Sequence, residues 1–143
     1  TCALPILHDY VNLYICARNP MMYKRRNRHR DLCVLRISPE VLDIRGVVVT
    51  DQNASSNYAA FYPSPEGLRR VNEELVFSEF WTHSDQIEEW RHKSIKCAEV
   101  LIPDRVDPVH IIGAYGSGEQ SVNRLLQHGL TGNIVINEHL FFL

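Results

Sequence analysis

Long apolar runs are missing from this chain: no stretch in the 143 residues approaches the roughly 20 that a membrane-spanning helix needs. Cysteine is sparse and scattered, and Cys2, Cys16, Cys33 and Cys97 form no CxxC pair, which argues against a zinc site or a disulfide framework. They read instead as reduced, mostly buried small hydrophobes. No His, Cys, Asp or Glu cluster has metal-ligand spacing, so no metal is expected. Excess charge of one sign is missing too. With 15 Lys and Arg against 17 Asp and Glu the formal net charge is −2, so a nucleic-acid partner has to be met by a local patch. The start, Thr1-Cys2-Ala3-Leu4-Pro5, lacks the features of a signal peptide, and a cytoplasmic protein is expected. No repeat, low-complexity stretch or Gly/Ser linker divides the chain, so residues 1–143 are expected to form one domain. Gly113, Gly116 and Gly118 lack the lysine and spacing of a phosphate loop, and there is no HExxH, EF-hand loop or serine nucleophile elbow.

What is present alternates between strand and helix patterns. Tyr10–Ile15, Leu32–Ile37 and Gly46–Thr50 read as strands, rich in β-branched and aromatic residues. Asn19-Pro20 reads as an N-cap followed by proline at the first helical position, opening a short helix through Tyr23. Asp51–Tyr62 is expected to be helical, and Ser64-Pro65-Glu66-Gly67 to be a turn or the start of a short helix. The clearest helix is Ser84–Lys96, with Ser84 as cap and Ile87 and Trp90 on its apolar face. Cys97–Ile102 and Val109–Ala114 are further strands, followed by a helix around Ser121–His128 and a strand at Ile134–Ile136. Without regular βαβ spacing, the class is α+β rather than a doubly wound sheet.

Glu99 is the residue that stands out. It interrupts the apolar run Cys97-Ala98-Glu99-Val100-Leu101-Ile102, and on a strand it shares a face with Cys97 and Leu101. Such an acid either meets solvent, the commoner case for a half-exposed strand, or projects into a cleft and does chemistry there. Lys24-Arg25-Arg26-Asn27-Arg28-His29-Arg30 packs five permanent cations into seven positions. Taken alone it is a solvated loop. Functionally it offers contacts to a phosphate backbone, with Tyr23 and Met22 beside it as a stacking surface. Asp51–Tyr58 is a dense polar stretch directly after an apolar strand, a place where function gathers. In Trp81-Thr82-His83-Ser84-Asp85, His83 is a catalytic candidate, though a histidine before a helix is more often a local hydrogen-bonding residue.

These segments, taken together and in order, resemble a known family. Leu7-His8-Asp9-Tyr10-Val11-Asn12-Leu13-Tyr14, followed by Ala17-Arg18-Asn19-Pro20-Met21-Met22-Tyr23, is similar to the DarT toxins, the DNA ADP-ribosyltransferases of toxin–antitoxin systems. Val49-Thr50-Asp51-Gln52-Asn53-Ala54, Trp81-Thr82-His83 and Lys96-Cys97-Ala98-Glu99-Val100-Leu101 match further stretches. Ile111-Ile112-Gly113-Ala114-Tyr115 and His139-Leu140-Phe141-Phe142 match its C-terminal part.

The resemblance implies an ADP-ribosyltransferase-like fold with a central, mainly antiparallel split β-sheet flanked by helices. It implies transfer of ADP-ribose from NAD to a base of single-stranded DNA, with thymine as the default target and guanine as the competitor. Glu99 and Arg18 take the catalytic positions. The element from His8 to Pro20 is the NAD-binding element, so His8, Tyr10, Asn12, Tyr14, Arg18, Asn19 and Met22 are expected around the co-substrate. The stretch from about Asp51 to Lys96 corresponds to the substrate-recognition loop, which makes Tyr58 and His83, together with Arg25, Arg26 and Arg28, the expected DNA contacts. A cognate antitoxin, a macrodomain ADP-ribosyl hydrolase, is the implied partner; no membrane is implied. The family's opening His-x-Thr-type segment is expected to be absent, which would weaken NAD binding. RNA as acceptor and a non-catalytic NAD- or nucleic-acid-binding module are the alternatives.

Overall fold

The computed structural model describes residues 7–143, so Cys2 and the Thr1–Pro5 start lie outside the described residues. Along the chain run β1 (Tyr10–Tyr14), α1 (Pro20–Lys24), β2 (Cys33–Ile37), β3 (Val48–Thr50), β4 (Phe61–Pro63), α2 (Glu73–Val76) and α3 (Gln86–Lys96). They are followed by β5 (Glu99–Pro103), β6 (Ile111–Gly116), α4 (Glu119–Gln127) and β7 (Asn133–Ile136), with short 3-10 turns between. The strands form two sheets. The first has the order β1-β5-β3-β4 and is antiparallel throughout; the second has the order β2-β6-β7. In the second, β2 and β6 are antiparallel while β6 and β7 run parallel, joined through α4 as a parallel pair requires. This is the expected α+β architecture with a split, mainly antiparallel sheet.

Alternation along the strands divides the first sheet into two faces. Val49, Val100 and Ile102 point to one side and are packed with Val41, Val47, Val11 and Leu13. Thr50, Glu99 and Leu101 point to the other. A second cluster, Val76, Ile95 and Ala98, holds α2 and α3 against the start of β5. Between the sheets lies an open groove of about 1090 Å³ whose walls include Val11, Leu13, Leu35, Ile37, Val100 and Tyr115. Both strands that border it, β1 and β2, are edge strands. In the second sheet β7 approaches so closely that a Cβ on Gly113 would collide with the Asn133 carbonyl oxygen; only glycine fits there.

Three expectations are corrected. Asp51–Tyr62 is not helical: it is a loop that ends in β4. The Asp51 side chain accepts from Ala60 N, Asn53 accepts from the Ser55 amide and hydroxyl, and Ser56 Oγ accepts from Tyr58 N. Short polar side chains here satisfy the backbone locally and outcompete the helix. Helix α3 is capped by Asp85, not Ser84, and its Ile87 and Trp90 are 72% and 58% exposed. Its buried residues are His92, Ile95 and Lys96, on the face that meets α2 and β5. Cys33 is exposed rather than buried, because β2 is an edge.

The turn from β1 into α1 is held by Asn19, only 1% exposed. Its Oδ1 accepts from Met21 N at 2.9 Å and Met22 N at 3.0 Å, while Nδ2 donates to Cys16 O at 2.8 Å. Pro20 occupies the first helical position, as the sequence indicated. Asn19→Ala removes the cap and strands a buried carbonyl, so it is expected to destabilise the fold by about 2 kcal/mol. The measurement is the urea midpoint, which falls at unchanged slope.

Candidate active site

Glu99 opens β5, where register places it opposite Tyr14 of β1, and Asn12 lies diagonally across from it. Its side chain is 6% exposed. A carboxylate so far from water requires donors, and two are present. Asn12 Nδ2 donates to Oε1 at 3.1 Å, and the amide of Ala54 donates to Oε2 at 2.6 Å. The backbone is fixed as well: Glu99 N donates to Thr50 Oγ1 at 2.9 Å, and that hydroxyl donates to Gln52 O at 2.6 Å. Thr50, fully buried at the end of β3, thereby ties the glutamate's strand to the 51–60 loop that supplies the Ala54 amide. That loop is anchored in turn on α3, through Asn53 N to Ser94 O and Ser94 Oγ to Gln52 Oε1, both 2.8 Å.

The surroundings are dry on one side. Burial pushes the Cys97 thiol up to about 11, with Glu99 adding to the effect. Tyr14 is likewise raised, by burial first, then by Cys97 and Glu99, against the lowering pull of Arg25. Lys96 is 1% exposed and lowered by the same loss of water, with Arg18 adding to it. Its Nζ donates to Val76 O at 2.9 Å and Ser78 O, which locks the end of α2 to the end of α3. Arg18 lies in the turn between β1 and α1. Its Nη1 donates to His139 O and its guanidinium sits 3.9 Å over the Phe142 ring. Its Nε is buried without a partner among the described residues. Phe142, Tyr23 and Trp81 meet edge to face, with centroids 5.1–5.8 Å apart. This cluster fastens the C-terminal turn to α1 and to the segment before α3.

The residues singled out from the sequence separate into those brought to Glu99 and those set apart. Asn12 and Tyr14 adjoin it. Asn19 shapes the turn that carries Arg18, and Met22 lines the groove between the sheets. Tyr10 lies at the far end of β1, opposite Pro103, and His8 in the turn before it. Tyr58, 85% exposed, stands at the tip of the 51–60 loop. His83 pairs with His92, Nε2 to Nδ1 at 2.8 Å. His92 Nε2 also donates to the Leu75 carbonyl at 2.9 Å and meets Ser78 Oγ at 2.8 Å, which fixes its ring against the end of α2. Arg26 stacks 3.9 Å over Tyr23; Arg25 and Arg28 are exposed. From Val71 through Trp90 there is no Lys or Arg, while Glu73, Glu74, Glu79, Asp85, Glu88 and Glu89 are all present. Of the Lys24–Arg30 run, Arg25 lies close enough to Tyr14 to pull on its titration. Sequence reasoning did not identify Thr50 or Ala54 as groups that hold Glu99; a hydroxyl closing an apolar strand was the available signal for Thr50, and a backbone donor leaves none. Among the described residues no helix is long and apolar enough to cross a membrane, and no group of three or more His, Cys, Asp and Glu could hold a metal ion.

A split sheet with a buried glutamate at the start of an inner strand has the architecture of an ADP-ribosyltransferase-like fold. The chain belongs to the DarT family: the family model described as "ssDNA thymidine ADP-ribosyltransferase, DarT" matches residues 3–142. A curated relative, the "DNA ADP-ribosyl transferase-DNA ADP-ribosyl glycohydrolase fusion protein" of Thermosipho africanus, is 28% identical over 142 residues, covering 95% of this chain and 35% of the relative. The chain thus spans about a third of that relative's length. The structure of Thermus sp. 2.9 DarT in complex with NAD+ matches with a TM-score of 0.81 at 19% identity, covering 94% of this chain and 73% of that one. The same DarT in complex with ADP-ribosylated ssDNA matches with a TM-score of 0.82 at 19% identity, covering 96% and 70%.

Thr50→Val keeps the shape of the side chain but leaves the Glu99 amide and the Gln52 carbonyl without their partner. It is expected to destabilise the fold by about 1–3 kcal/mol, read in urea unfolding.

Proposed function

We propose that this chain transfers ADP-ribose from NAD to a base of single-stranded DNA, thymine by family, releasing nicotinamide. The observation that carries this reading is Glu99, a buried carboxylate held by two donors at the start of β5 in a chain that belongs to the DarT family. Breaking the bond between ribose and nicotinamide builds positive, oxocarbenium-like charge on the sugar. A fixed carboxylate stabilises that charge and accepts a hydrogen bond from a ribose hydroxyl, provided it does not have to reorganise. Each Glu99 oxygen, with one donor in place, keeps an acceptor direction for the substrate. The new bond forms between the ribose carbon and a nucleophilic atom of the base, whose proton passes to solvent.

Arg18 acts electrostatically in this proposal, since a guanidinium does not deprotonate in proteins, and it stabilises the base as its proton leaves. His8, Tyr10, Tyr14, Asn19 and Met22 belong to the element that receives NAD. Lys24–Arg30, with Arg25, Arg26 and Arg28, meets the phosphate backbone, and Tyr58 and His83 contact the DNA. An unpaired strand suits the acceptor, because the edge of the base is already accessible. The chain works as one domain, and its partner is an antitoxin that hydrolyses the ADP-ribosyl–DNA bond. The fusion of transferase and glycohydrolase named for the Thermosipho africanus relative supports that pairing.

NAD consumption is expected only when single-stranded DNA is added. Glu99→Gln is expected to lower that rate by on the order of a hundredfold or more, with far-UV circular dichroism unchanged. A near-normal rate in this variant removes Glu99 from the reaction.

A further inference from the structure

Asn12 belongs by sequence to the element assigned to NAD, yet its side chain is engaged elsewhere. On β1 it pairs with Leu101 and so stands diagonally across from Glu99, with its Nδ2 3.1 Å from Glu99 Oε1. The second oxygen of that carboxylate is held by the Ala54 amide. The two holds differ in kind. The Ala54 amide is backbone, buried, and tied through its loop to α3. Asn12 is a side chain on an exposed edge strand. The final torsion of a glutamate is broad and soft, so one hydrogen bond leaves the carboxylate plane free to turn about the oxygen that is held. The second hydrogen bond stops that rotation. We propose that Asn12 is a positioning residue: it fixes the plane of the Glu99 carboxylate and acts on ADP-ribose transfer through that group rather than by binding NAD.

Asparagine suits this task in a way that its isosteres do not. Its amide donates without adding charge to a site that already holds a carboxylate. Leucine at the same place has the same shape and no donor. Aspartate has the same shape and presents an acceptor to an acceptor. A pair of carboxylates at hydrogen-bond distance holds together only by sharing a proton. An aspartate at position 12 therefore reproduces the asparagine donor when it is protonated and repels Glu99 when it is not. This links a substitution at position 12 to a pH response that a simple packing role would not produce.

The inference rests on the transferase reading of Glu99, and the experiment keeps the two apart. Steady-state transfer to a single-stranded oligonucleotide is measured over a range of NAD concentration and pH for the unsubstituted chain, Asn12→Leu and Asn12→Asp. In parallel, 15N–1H spectra follow the Asn12 side-chain amide in the unsubstituted chain and in Glu99→Gln. Asn12→Leu is expected to lose on the order of ten- to a hundredfold in kcat with little change in KM for NAD. Asn12→Asp is expected to lose more at neutral pH and to recover relative to the unsubstituted chain as pH falls. Glu99→Gln is expected to move the Asn12 amide resonances. A raised KM at unchanged kcat in Asn12→Leu makes Asn12 an NAD ligand and overturns the proposal. An Asn12→Asp profile parallel to that of the unsubstituted chain, or Asn12 resonances indifferent to Glu99→Gln, overturns it as well. If the unsubstituted chain transfers nothing, the functional reading fails and the role of Asn12 in transfer fails with it; the spectra still decide whether the contact exists.

Discussion

Moving a carboxylate out of water costs several kcal/mol unless other donors replace the solvent. At Glu99 the two donors come from parts of the chain far apart in sequence, the Asn12 amide from β1 and the Ala54 amide from the loop after β3, while the Thr50 hydroxyl accepts from the Glu99 backbone N–H. Bringing these groups together requires the strand order β1-β5-β3, with β5 in the middle. That order puts Glu99 between the two strands whose residues hold it. The acid thus acts as a register mark for the first sheet: a slip of one residue on either neighbour would turn the holding groups to the opposite face.

The same logic extends outward. The 51–60 loop presents its Ala54 amide because Asn53 and Gln52 are tied to Ser94 near the end of α3. Helix α3 is itself tied to α2 by the buried Lys96 ammonium, which donates to two carbonyls at the end of that short helix. Each link satisfies a group that burial would otherwise leave without a partner, which is why polar side chains cluster in the interior here. On the other flank, Asn19 fixes the turn into α1, and the aromatic cluster of Tyr23, Trp81 and Phe142 joins that helix to the C-terminal turn where Arg18 rests.

Much of this was legible in the residues. The strand positions other than β4, the Asn19-Pro20 start of α1 and the anomaly of an acid inside Cys97–Ile102 all follow from local pattern, because the hydrophobic period and cap chemistry act over a few residues. The resemblance to a family added the roles proposed for Glu99 and Arg18, which no local pattern carries. What escaped depends on distant partners. Asp51–Tyr62 looked helical from its capping residue and small residues, but its polar side chains fold back on the loop and β3 recruits Phe61–Pro63 as a neighbour. Ile87 and Trp90 looked like a core face, whereas α3 turns His92, Ile95 and Lys96 inward. A buried lysine reads as a solvated one until the carbonyls of Val76 and Ser78 are seen beside it. The Ala54 amide, being backbone, has no signature at all.

Glu99 is proposed to drive transfer of ADP-ribose to a DNA base. Intact-mass spectrometry of a panel of single-stranded DNA and RNA oligonucleotides incubated with the chain and NAD tests it most directly, with Glu99→Gln alongside. A mass gain of one ADP-ribose is expected on thymine-containing DNA only, absent in the variant. A gain that persists in Glu99→Gln, or one that appears on RNA and not on DNA, would contradict it.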